Sequence, residues 1–314
     1  MIMRLSFATL ASLALATTAC AREAETAETE NEGAAAVAVS QEASAAPAFE
    51  FPDEAWRDLD PENTLYIETN HGRVVVELAP EFAPAHVERM KTLARDQFYD
   101  FLVWHRVIDG FMAQAGGSRS NPSHRTDLPS LQAEFTVQRG PELAISELMP
   151  RQVSPTLPQI GQAGFWNSFP AGTQPIAQAM ITATGQVQSW LLHCQGAAAM
   201  ARTSDPNSAG SQFYITRGDA EHLNATYTVW GRVRYGQEAI NAIEEGTLFE
   251  TEGFTPDVIR SMRVEADIAE DERTNIQVVD SNHPAFNAYL DSLRDASGAL
   301  PDVCEIDIPT RIQD

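Results

Sequence analysis

Short apolar runs rich in β-branched residues, broken by turn residues, set the tightest limit on how this chain can fold. Thr64 to Glu68 and Arg73 to Leu78 flank Asn70-His71-Gly72 and read as a hairpin. Trp104 to Ile108 reads as a strand, followed by a turn at Asp109-Gly110 and an extended piece through Gln114. Gln212 to Thr216 and Tyr227 to Val233 are β-like, and Met262, Val264, Ala266 and Ile268 alternate as a final strand. Two helical patterns interrupt this stretch. Pro84 opens the first, with Val87, Met90 and Ala94 as its apolar stripe. Gln237 to Glu245 is the second, with Ile240 and Ile243 inward and Gly246 as its stop. Many short strands with two helices predict an antiparallel barrel or sandwich.

Composition narrows the partners. The 314 residues carry 21 Lys+Arg against 44 Asp+Glu, a net charge of −23. That excess argues against a nucleic-acid surface, whose affinity rests on clustered basic side chains, and against docking of the folded body on an anionic membrane. Hydrophobic residues make up 43%, enough for a sizeable core and one or two domains, yet no 18-residue apolar run exists to span a bilayer.

The amino terminus reads as an export signal. Arg4 precedes the apolar stretch Leu5 to Ala16, then Thr17-Thr18-Ala19-Cys20. The last residues resemble a bacterial lipobox, in which Cys20 is acylated and becomes the new first residue, although Thr17 stands where an aliphatic residue is usual. Ordinary cleavage, leaving Cys20 a plain thiol, is the alternative. Residues 20–48, mostly Ala, Glu, Ser and Thr, have too little apolar bulk to offset the entropy of ordering and read as a flexible acidic tether. The expected location is the periplasm, on a lipid anchor, after removal of residues 1–19.

Cys194 and Cys304 would meet an oxidising compartment after export. A bridge between them would close a loop of about 110 residues and contribute roughly 4–5 kcal/mol in the chain-entropy model. Two buried free thiols are the alternative. No Cys-x-x-Cys occurs and the seven His lack ligand spacing, so no metal site is expected.

Three blocks carry a family resemblance. Trp104-His105-Arg106-Val107-Ile108-Asp109-Gly110-Phe111-Met112-Ala113-Gln114 resembles the Phe-His-Arg-Val-Ile-x-Gly-Phe-Met-x-Gln signature of cyclophilins. Ala199-Met200-Ala201-Arg202-Thr203, with Asp205 to Ser208 and Gly210 to Ile215, is the second block, and Tyr227 to Val233 resembles the family's Tyr-Thr-Val-Phe-Gly-Arg-Val strand. The resemblance covers about residues 64–269. It implies a mainly β fold, a closed eight-stranded antiparallel barrel capped by two helices, and peptidyl-prolyl cis-trans isomerase activity without a cofactor.

It also implies roles. Arg106 would assist the reaction. Phe111, Met112, Tyr214 and Leu223 would hold the proline ring, Gln114 and Gln212 would position the substrate backbone, and Ala201 and Arg202 would meet the residue before proline. Read alone, Phe111 and Met112 would be core residues. His105 lies on the opposite strand face from Arg106 and reads as a satisfied core histidine. Three positions depart from the best-known pattern: His222 replaces a Trp that contacts cyclosporin, Tyr227 replaces a rim His, and Tyr214 replaces a Phe.

Two segments lie outside the pattern. An insertion from about Val137 to Gln195 holds six prolines and Phe165, Trp166, Phe169 and Trp190. Its length predicts a packed subdomain, with Thr182 to Leu192 as a hairpin turning at Gly185-Gln186. Its aromatics form either an extension of the substrate groove or a satellite core, the latter being the simpler reading. The tail, residues 270–314, predicts a helix over Pro284 to Arg294 with Phe286, Tyr289, Leu290 and Leu293 on one face, then an extended Cys304 to Ile312. The whole reads as a monomeric isomerase of Xaa-Pro bonds in exported proteins. The rivals are a proline-peptide binding or chaperone module with little turnover, and an envelope scaffold that holds partners through the insertion and tail.

Overall fold

The strand and turn pattern builds three antiparallel sheets in the computed structural model, which describes residues 49–117, 126–140, 143, 145–151 and 161–313. The expected export signal, Cys20 and tether lie outside the described residues. Residues Ala48–Asp314 form one compact unit.

The principal sheet has nine strands. Its order runs Gly246–Thr247, Arg106–Ile108, Met112–Ala115, Phe213–Thr216, Ala197–Met200, Val229–Tyr235, Gly72–Leu78, Thr64–Thr69 and Ser261–Val264. The sheet is curled, and backbone hydrogen bonds link residues just before its second and ninth strands: Phe101 N–H to Ile259 O at 2.7 Å and Ile259 N–H to Leu102 O at 2.8 Å. The mainly β architecture is therefore present as a nine-stranded curled sheet with few helices, which is coarser than the closed eight-stranded barrel expected.

Period-two alternation sends Leu65, Ile67, Val74 and Val76 to the concave side, where they meet Trp104, Phe213 and Trp230. The Phe213 ring lies 5.4–5.9 Å from the rings of Tyr99, Trp104 and Trp230, each near edge-to-face. Helix α1, Pro84–Arg95, lays Val87, Met90 and Leu93 on this core. Its N-cap residue Ala83 offers no side-chain acceptor; instead the Glu134 carboxylate accepts from the N–H groups of Ala85 and His86, both at 3.1 Å. A negative group there suits the helix dipole. Helix α2, Gln237–Asn241, buries Ala239 and Ile240 against the same core.

A second layer covers the outer face of the hairpin, so those strands are buried on both sides. Trp56–Asp58, Ile276–Val279 and Thr310–Ile312 form a three-stranded sheet. Helix α3, Pro284–Ser292, joins it and buries Phe286, Tyr289 and Leu290. Tyr66 and Val75 pack outward into this layer with Phe165 and Trp190 of the insertion. The insertion itself is a five-stranded sheet, ordered Val137–Arg139, Val187–Leu191, Phe169–Thr173, Gly161–Trp166, Ser146–Arg151. Cys194 and Cys304 are disulfide-bonded, with Cα atoms 5.1 Å apart.

Several boundaries differ from expectation. The hairpin over Thr182 to Leu192 does not form: Gln186 N–H donates to Thr182 Oγ1 at 3.1 Å, closing a loop. Val187–Leu191 pairs instead with Phe169–Thr173 and Val137–Arg139. The final strand stops at Val264, because a 3-10 turn over Glu265–Asp267 follows and Glu265 turns in to accept from Tyr66 Oη at 2.7 Å. The α2 segment leaves the helix at Asn241, and Glu244 N–H donates to Asp257 Oδ2 at 2.9 Å. The extended stretch is Thr310–Ile312 alone, since Cys304 N–H donates to Asp302 Oδ1 in a turn.

Candidate functional site

Strand alternation also assembles the candidate site. In register, Arg106 faces Gln114, Ile108 faces Met112, and Gln114 faces Tyr214 on the next strand. Val107, Ala113, Phe213 and Ile215 point into the core. Arg106, Met112, Gln114 and Tyr214 therefore share the convex face. Gly110, at φ +60°, turns the chain between the first two strands and presents Phe111. Leu223 comes from the short 3-10 turn Glu221–Leu223, while Ala201 and Arg202 follow the strand Ala197–Met200.

These residues enclose a cavity of about 180 Å³ lined by Arg106, Phe111, Met112, Gln114, Ala201, Arg202, Tyr214, Leu223 and Tyr227. Two residues expected at the site are not in its wall. Gln212 stands behind it, accepting from Gln114 Nε2 at 3.0 Å. His222 is exposed at the rim, its ring 5.5 Å from that of Phe111. His105 is buried and shares a hydrogen bond with the Gln212 side chain; burial lowers its pKa, so it stays neutral behind the wall.

One side of the cavity is cationic and the rest is apolar. Arg106 Nη1 lies 3.5 Å from Gln114 Oε1 and 3.7 Å from Met112 Sδ, both long contacts. Among the described residues no carboxylate pairs with Arg106. Arg202 is held differently: its guanidinium sits 4.2 Å over the Tyr227 ring and donates to Thr226 O and Thr203 O. Its fork is thus engaged on the rim, while Arg106 keeps donors free.

The back wall shows a contact that the sequence did not announce. Tyr214 Oη lies 3.0 Å from His193 Nε2, and His193 Nδ1 lies 3.2 Å from Asn224 Oδ1. Oδ1 can only accept, so His193 carries its proton on Nδ1 and Tyr214 donates to Nε2. Burial drives the His193 pKa down to about 4 and pushes Tyr214 well above the usual phenol value, so both are neutral. His193 adjoins the disulfide at Cys194 and sits at the end of the insertion. Its only signal in sequence is a polar residue within the apolar run Trp190 to Cys194.

The insertion's aromatics divide between two clusters instead of forming one satellite core: Phe165 and Trp190 pack in the outer layer with the hairpin and tail. Trp166 and Phe169 are buried beneath the cavity with Phe82, Met112 and Tyr214, and none of the four insertion aromatics lines it.

Comparison with known proteins agrees with this geometry. The family model described as cyclophilin type peptidyl-prolyl cis-trans isomerase/CLD matches residues 64–264. A probable peptidyl-prolyl cis-trans isomerase of Brucella suis is 31% identical over 209 residues, 66% of this chain and 85% of that protein. Peptidyl-prolyl cis-trans isomerase B of Escherichia coli is 25% identical over 184 residues, 56% of this chain and 80% of its own. Among solved structures, the cyclophilin AquaCyp293 from Hirschia baltica superposes with a TM-score of 0.70 at 31% identity, covering 84% of this chain and 98% of that one.

Proposed function

The chain belongs to the cyclophilin-type peptidyl-prolyl cis-trans isomerase family and is an isomerase; from that premise we propose that it acts on Xaa-Pro bonds of exported polypeptides through Arg106. The single observation behind the mechanism is a guanidinium with no carboxylate partner among the described residues, facing Phe111, Met112, Tyr214 and Leu223 across a cavity of about 180 Å³.

Rotation about the peptide bond is opposed by C–N resonance, a barrier of about 18–20 kcal/mol. In the twisted state the prolyl nitrogen becomes pyramidal and regains a lone pair. Arg106, without a carboxylate partner among the described residues, donates to that lone pair. Neither planar isomer offers it, so the interaction favours the twisted state over both ground states. Phe111, Met112, Leu223 and Tyr214 hold the ring still while the preceding carbonyl swings. Gln114, braced from behind by Gln212, positions the substrate backbone, and Ala201 with Arg202 meet the residue before proline.

Exchange of a short Xaa-Pro peptide, followed by NMR, tests this reading. Arg106→Ala should reduce kcat/KM by about 100- to 1,000-fold, the scale on which a preorganised donor acts, with peptide binding retained. Equal turnover in the variant would remove Arg106 from the mechanism. No turnover in the parent, with saturable peptide shifts, would leave a binding module.

The sequence features of residues 1–48 support a periplasmic enzyme held by an acyl group on Cys20, with the tether as spacer. Palmitate supplied to cells making the full chain should label it, and Cys20→Ser should abolish the label. An unlabelled parent protein would point to ordinary secretory cleavage.

A further inference from the structure

His193 stands outside the proline cavity, yet it holds two of the cavity's four apolar side chains in place. Its ring accepts from Tyr214 Oη at 3.0 Å. Its backbone brackets the 3-10 turn Glu221–Leu223, which presents Leu223. At one end of that turn His193 O accepts from Ala220 N–H at 2.8 Å. At the other, His193 N–H donates to Asn224 Oδ1 at 2.8 Å, the same oxygen that meets Nδ1 of the ring.

Tyr214 is 4% exposed, and its hydroxyl has no other hydrogen-bond partner among the described residues. Buried hydroxyls are nearly always satisfied. Parted from His193, this one must turn into the cavity to reach water, and there it takes space that the proline ring needs. Any shift of His193 also moves the ends of the turn that carries Leu223.

The position of His193 is set in turn by its neighbour. Both lie in the irregular link between Val187–Leu191 and Ala197–Met200, where the chain leaves the insertion. Single hydrogen bonds tie this link to the principal sheet and its loops: Thr216 Oγ1 donates to Cys194 O at 2.7 Å, and Gln195 N–H donates to Asp219 Oδ1 at 2.9 Å. The bridge from Cys194 to Cys304 ties it covalently to the tail. Around that bridge Cys194 packs with Leu192, Val303 and Ile306, so the tail closes over the link.

We propose that His193 is a positioning residue for the proline pocket and that the Cys194–Cys304 bridge, by anchoring it, gives the tail a part in substrate binding. The inference rests on the reading of this cavity as the proline site. A pocket that grips the ring grips it alike in both planar isomers and in the twisted state. Loosening it therefore removes uniform binding: peptide affinity falls while the rate at saturation stays.

The test is NMR on the full chain with a short Xaa-Pro peptide, reading Kd from shift titration and the exchange rate at saturation. His193→Leu should weaken binding about tenfold, the scale of one unpaired buried polar group. Its saturated rate should stay close to the parent's, which also shows the variant folded. His193→Gln should keep the parental Kd, because its amide offers both an acceptor for Tyr214 and a donor for Asn224. Replacing both cysteines by Ser should weaken binding about threefold, and adding His193→Leu to that pair should give no more than the histidine change alone, as coupled sites do. Parental Kd in His193→Leu would overturn the positioning role. Parental Kd in the bridge variant, or fully additive losses in the combined one, would overturn the link to the tail. A parent protein that binds no peptide would overturn the reading of the cavity and this proposal with it.

Discussion

Replacing Glu77 by Gln should destabilise the fold by about 3–5 kcal/mol, the cost of leaving a buried charge unpaired. Glu77 is 8% exposed and sits where three parts of the chain converge. Its carboxylate accepts from Arg57 Nη1 at 2.7 Å and Nη2 at 3.2 Å, on the N-terminal strand of the outer layer. It accepts from Arg234 Nε at 2.7 Å within the principal sheet, and both arginines reach Asn167 O in the insertion. The two arms differ in burial, the Arg234 side chain being 1% exposed and that of Arg57 25%. Burial pulls the Arg234 pKa down, and the attraction of Glu77 offsets that. Most of the loss should therefore come through Arg234, while Arg57→Gln should cost only about 1 kcal/mol, as partly exposed pairs do. At roughly 2–4 °C per kcal/mol for a domain of this size, Glu77→Gln should lower Tm by about 6–20 °C in scanning calorimetry. The effect should persist in 1 M salt, since buried pairs are screened little. The double variant Glu77→Leu/Arg234→Met should recover at least half of the loss, because the fully buried charge is gone and Arg57, 25% exposed, keeps access to water. A loss below about 1 kcal/mol, or one that salt removes, would refute the assignment of Glu77 as a buried junction.

Two further outcomes can be measured on the same scale. Replacing Cys194 and Cys304 by Ser should cost about 4–5 kcal/mol for a 110-residue loop, read from urea midpoints of the parent and variant; two titratable thiols in the denatured parent would reject the bridge. His193, with its folded pKa lowered to about 4 against an unfolded value near 6.5, contributes stability that is complete above pH 6.5 and lost as pH falls towards 4. That loss should be about 3 kcal/mol in the parent and missing from His193→Gln, and parallel pH profiles for the two would sink the assignment.

Spacing along the chain determined the elements whose partners are near in sequence. The hairpin Thr64–Leu78 and helix α1 were legible because a short turn or a 3.6-residue stripe names its own partner. Most of the cavity lining was legible only through the family resemblance, whose first block carries Arg106, Phe111, Met112 and Gln114; alternation then puts Arg106, Met112 and Gln114 on one face. The same local signals misled at Thr182 to Leu192, where a glycine turn suggested a hairpin but Val187–Leu191 paired with distant strands. Only tertiary structure could decide that residues 49–63 join the tail in one layer, that Glu134 caps α1, and that His193 braces Tyr214. It also gave Arg234 the carboxylate of Glu77, while Arg232, two residues along the same strand, has no carboxylate within ion-pair reach among the described residues. Side chains of one type on one strand read alike in sequence; which of them meets an acceptor depends on what the rest of the chain brings against that face.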